Sequence, residues 1–85
     1  MGKNSTREYH PKEFTDTLLT AYLDLRGFHI KPIILVNKQI AFEVCGEYLS
    51  EAIQEFYENP KVPILNFCSS FKKVRSMIFN LKAGG

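Results

Sequence analysis

Tryptophan is absent, and cysteine, histidine, proline and glycine number only two, two, four and five in a chain of 85 residues. Each scarcity excludes something. Cys45 and Cys68 lie far apart, without a Cys-x-x-Cys pair, so a disulfide-stapled scaffold or a thiolate zinc site is not expected. Each sits beside an apolar segment. They read as reduced thiols next to a core, with a Cys45–Cys68 disulfide as the second reading. His10 and His29 form no ligand spacing with the cysteines and carboxylates, so neither a metal nor a cofactor is expected. No glycine-rich phosphate loop occurs. No apolar run approaches the roughly 20 residues that span a bilayer. No basic-then-apolar leader opens the sequence given, so the expected location is cytoplasmic, without membrane attachment.

Acid is missing from one stretch altogether. Lys61 to Gly85 carries Lys61, Lys72, Lys73, Arg75 and Lys82 and no carboxylate side chain. The stretch before it, Gly46 to Pro60, carries Glu47, Glu51, Glu55 and Glu58 and no base. The net charge of +2 hides this division.

What is present suffices for one modest core. Hydrophobic residues make up 45% of the chain, too many for a disordered segment. Residues 1–10 are polar and are expected to form a flexible arm. Residues 11–82 form a single domain and residues 83–85 a tail. Met1 to Thr6 fits the loose myristoylation pattern, and Asn4-Ser5-Thr6 is a glycosylation sequon. Both are read as ordinary polar sequence. The terminal Gly-Gly is read as a helix stop rather than a ubiquitin-like tail.

Within the domain the pattern predicts α-β-β-α-α, an α+β fold with an antiparallel β-hairpin packed on three helices. The first helix spans about Thr15 to Arg26, capped by Thr15 and stopped by Gly27. Its apolar residues cover more than half the circumference, so it should touch neighbours on more than one side. Ile30–Val36 and Gln39–Cys45 are the strands, joined by a two-residue Asn37-Lys38 turn. Pro32 places the first of them at an edge. Along the second, Ile40, Phe42 and Val44 face one way and Ala41, Glu43 and Cys45 the other. A helix over Glu47–Glu58 ends at Asn59-Pro60, and Pro63 opens the last helix. That last helix has the longest periodic pattern. Ile64, Phe67, Phe71, Val74, Ile78 and Leu81 recur at steps of three and four, widened by Cys68 and Phe79. Everything upstream can be read as packing on it.

Several segments resemble a small domain family of bacteria and their phages. They are Asp16 to Leu23 with Gly27, Ala41-Phe42-Glu43-Val44, Glu55 to Asn59, Val62-Pro63, and Phe67, Phe71 and Val74 to Phe79. The resemblance covers about Asp16 to Phe79 and departs at Thr17 and Thr20, where small or apolar residues are usual. The family has no established activity. The resemblance therefore implies an architecture and no site residues.

Catalytic constellations are thin. A Cys45–His29 nucleophile–base pair fits across a hairpin, but a reactive thiol needs an electropositive pocket, so no enzyme is expected. Glu47, Glu51, Glu55 and Glu58 form a ridge at i, i+4 and i+3 steps. It is a candidate docking surface for a basic protein partner, or a solvated face. Arg75 lies about 20° from Ile64 on a helical wheel, inside the apolar sector, and should pair with Glu51 or Glu55 as a structural ion pair. Two functions follow. The first is a non-catalytic protein-interaction module, such as a phage or mobile-element accessory protein. The second is a helix-turn-helix-like nucleic-acid binder reading with Asn66, Ser69, Ser70 and Lys73. The glutamate ridge and the sparse bases count against the second. Either a monomer or a homodimer fits, through a free hairpin edge or a seam on the last helix. The width of the apolar arc argues against a simple zipper.

Overall fold

The computed structural model describes residues 12–84. The arm, the Gly2 pattern, the Asn4 sequon and Gly85 lie outside the described residues. The elements run β1 Lys12–Phe14, α1 Thr17–Leu25, β2 His29–Ile34, β3 Ile40–Cys45, α2 Leu49–Tyr57 and α3 Ile64–Gly84. The α+β class is as expected, and the order gains one strand at its start. That strand was invisible because three residues are too few to show an alternation. It pairs antiparallel with β3, Phe14 opposite Phe42, and makes a three-stranded sheet of order β1-β3-β2. A hairpin alone is marginal in water, and the third strand gives it a second edge partner.

β2 is an edge strand, as Pro32 requires. Its register with β3 runs from His29↔Cys45 to Ile34↔Ile40. The turn between them has three residues, not two. Leu35 N–H donates to the Gln39 carbonyl, and Lys38 N–H to the Leu35 carbonyl, each at 2.8 Å. Lys38 rather than Asn37 takes the left-handed conformation, at φ 71°. Asn37 instead accepts the Gln39 N–H through its side chain. On β3, Phe42 and Val44 are fully buried; so is Ala41 on the opposite face.

Asp16, not Thr15, caps α1. Its carboxylate accepts the N–H groups of Leu18 and Leu19 at 3.0 and 3.1 Å. Asp16→Ala is expected to cost about 1 kcal/mol of unfolding free energy in urea titrations, as loss of such caps does. The helix closes in a Schellman motif. Phe28 N–H donates to the Leu23 carbonyl and Gly27 N–H to the Asp24 carbonyl, both at 3.0 Å, with Gly27 at φ 98°.

α1 is the centre of the fold. Leu19 to Leu23, five consecutive residues, are all buried, because α1 touches the sheet, α2 and α3. The wide apolar stripe on α1 thus has its neighbours on several sides. Thr20, fully buried, satisfies its hydroxyl on the Asp16 carbonyl at 2.8 Å. α2 starts later than its sequence suggests, since Gly46 and Tyr48 both take positive φ and turn the chain. Glu47 therefore precedes the helix. A side chain on Gly46 would meet the Phe28 ring at 2.9 Å. Asn59, at φ 58°, ends α2 in the expected place. Among the described residues no helix is long and apolar enough to cross a membrane.

Candidate functional site

The four glutamates do not form one ridge. Glu51 is exposed on α2, Glu58 is exposed at the cap that follows it, and Glu47 is exposed in the turn before it. Glu55 is half-buried and turned toward α1. Its Oε1 accepts the Tyr22 hydroxyl at 2.5 Å and pairs with the Arg26 guanidinium. Arg26 also donates to the Tyr22 oxygen at 3.3 Å. Arg26 lines one cleft with Glu47, Glu51 and Glu55, so one cation faces three carboxylates. This cluster fastens α2 to the centre of the fold. Glu55→Ala would leave the hydroxyl of the buried Tyr22 without its acceptor. It should cost about 1–3 kcal/mol in urea unfolding, with Glu55→Gln retaining part of the bond.

Arg75 is not the partner of Glu55. Among the described residues that carboxylate is taken by Arg26, which caps the end of the neighbouring α1. Arg75 is exposed, with its guanidinium 5.8 Å from the centre of the Phe71 ring. The structural ion pair of α3 belongs to Lys73 instead, whose Nζ lies 2.9 Å from Oδ1 of the mostly buried Asp24. The candidate nucleic-acid face is divided. Asn66 and Ser69 are exposed, Ser70 is only 8% exposed, and Lys73 is tied to α1. α2 and α3 both rest on α1.

Why α3 presents another face follows from lengths. α1 has nine residues and α3 has 21. At 1.5 Å per residue, α1 is about 14 Å long against about 31 Å, so it covers only part of α3. The covered side carries Ser70 and Val74. The other half of the apolar arc is bare, with Ile64, Leu65 and Phe79 at 65%, 77% and 70% exposed and Cys68 exposed among them. Two clefts open along this strip. One, of about 320 Å³, lies at the start of α3 between Tyr22, Phe56, Val62, Ile64 and Phe67. The other, of about 280 Å³, lies toward its end between Thr17, Phe71, Arg75, Ile78, Phe79 and Lys82. No acid lines either cleft.

The sheet does bring His29 and Cys45 together as cross-strand partners, and a shallow cleft joins them to Arg26 and Glu47. Both cysteines are free, Cys45 half-buried and Cys68 exposed. Among the described residues no three metal-ligating side chains converge. Tyr22, Asp24 and Arg26 escaped the sequence reading as partners of the charged helices. The one hint was the i, i+4 spacing of Tyr22 and Arg26 at the end of α1. No family model, curated protein or solved structure matches the chain.

Proposed function

We propose that the protein is a small non-catalytic protein-interaction module that engages its partner through the bare strip of α3. One observation carries this reading. Three large apolar side chains, each about two-thirds exposed or more, sit on one helix of a domain too small to waste them. The glutamates offer less, since Glu55 is engaged and Arg26 offsets its neighbours. The nucleic-acid alternative is less favoured, since Ser70 is buried and Lys73 is held by Asp24, which leaves Asn66 and Ser69 as its exposed residues. A phage or mobile-element setting rests on the family resemblance alone.

Photocrosslinking in cells tests the proposal. A photoreactive phenylalanine analogue in place of Phe79 or Leu65 should give a discrete adduct with a different protein, and one in place of Glu51 should not. Adducts from the Glu51 position alone, or none from α3, would contradict it.

A further inference from the structure

We infer that the occupant of the α3 strip is an amphipathic helix of another protein, apolar along one side and acidic along its flanks. The inference rests on the interaction-module reading and adds the chemistry of the partner. Charge supplies the first argument. Arg75 and Lys82 line the second cleft, Lys72 is exposed one step beyond it, and no carboxylate side chain follows Pro60 in the chain. An apolar segment seated here without acids would leave these cations facing one another. Acids on its flanks would meet them.

The same charges weigh against a second copy of the chain. Two α3 strips laid against each other bring Lys72, Arg75 and Lys82 from each side and no acid side chain from either, Lys73 being paired with Asp24. Docking α3 on the α2 of a second copy would find its acids already engaged, since Arg26 pairs with Glu55 and shares one cleft with Glu47 and Glu51. The clefts weigh against a lipid surface. A membrane-lying helix presents a smooth apolar side rimmed by cations. Here Arg75 lies beside Phe71 and Phe79, and side chains from α1 and α2 wall the recesses. Recesses of this kind receive side chains.

The strip also has a direction. Its first end is aromatic and uncharged, with Tyr22, Phe56 and Phe67 around Ile64. Its second end carries Arg75 and Lys82. Ile64 and Phe79 are 15 residues apart, about 22 Å along the axis. A partner helix of about four turns would place an apolar anchor in the first cleft and its acids over the second.

The test uses two synthetic peptides of about 18 residues, long enough to be helical. Both carry the same leucine and phenylalanine face, one flanked by Glu and its twin by Lys. Anisotropy of the labelled peptides at about 50 mM salt should show the Glu peptide binding about tenfold or more tightly than its twin. Amide resonances of Ile64, Phe67 and Phe79 should move with it. The variant carrying Arg75→Glu and Lys82→Glu, both exposed sites, should reverse the preference while keeping its circular dichroism spectrum. Equal or tighter binding of the Lys peptide overturns the acidic chemistry and leaves the module reading standing on its crosslinks. Binding of neither peptide overturns the inference. So does binding only to vesicles of phosphatidylserine and phosphatidylcholine, or a dimer in sedimentation whose contacts occupy the strip resonances. Absence of both peptide binding and α3 crosslinks removes the module reading as well.

Discussion

Phe42→Ala is expected to remove about 3–5 kcal/mol of the protein's stability at 25 °C. Phe42 is fully buried on the central strand, and its partners across the sheet are Phe14 on one side and Pro32 on the other. Truncating a buried phenylalanine costs about 3–5 kcal/mol, from lost transfer energy and the cavity left behind. A domain of this length holds roughly 4–13 kcal/mol in all. Little room exists for relaxation, because β3 is paired on both edges and Phe42 lies in one buried cluster with Leu19, Tyr22 and Leu23 of α1. Ile34 lies on the same face at the end of the edge strand and is half exposed. Ile34→Ala should cost well under half as much. Urea unfolding of the two variants checks this. A loss below about 1 kcal/mol at Phe42 would mean that the sheet face is not the core.

The second large effect separates two neighbours on α3. Val74 is fully buried, whereas Arg75 is exposed. Val74→Asp places a carboxylate at a fully buried apolar position. The cost is several kcal/mol, and no folded protein is expected near neutral pH. Arg75→Asp gives up a cation–π contact with Phe71 and should stay within about 1 kcal/mol of the parent. Circular dichroism and urea midpoints of the pair read out which side of α3 the fold covers. The opposite ranking would put Arg75 in the core, where the sequence periodicity had placed it.

That misplacement of Arg75 marks where sequence reasoning stops. The 3.6-residue period gives an apolar arc on α3, of which the fold covers only part. It carries no information on which part of an over-wide arc receives a neighbour. That depends on the length of α1 and on where it crosses, properties of a different segment. The pairing of Glu55 failed for a related reason. Its candidates, on α1 and α3, differ in distance along the chain, and only the packing of α2 on α1 selects Arg26. Local features read well. Gly27 and Asn59 stop their helices because positive φ is needed there, and Pro32 lies on an edge because it lacks a donor. The class of the fold and the many-sided contacts of α1 were legible in the same way. β1 and the three-residue turn were not. A strand of three residues has no period to detect, and Lys38 accepts a left-handed conformation that its side chain does not advertise.

The fold thus uses one side of α3 and leaves another bare. Equilibrium unfolding of Ile64→Ser, Leu65→Ser, Phe79→Ser combined in one chain tests that division directly, followed in urea at several protein concentrations. Substitutions of mostly exposed side chains such as these change stability by about 0.5 kcal/mol each. The variant should therefore unfold near the parent midpoint, with the same slope, and sediment as the parent does. A loss of more than about 3 kcal/mol, or a parent midpoint that rises with protein concentration while the variant's does not, would show that the strip is already covered.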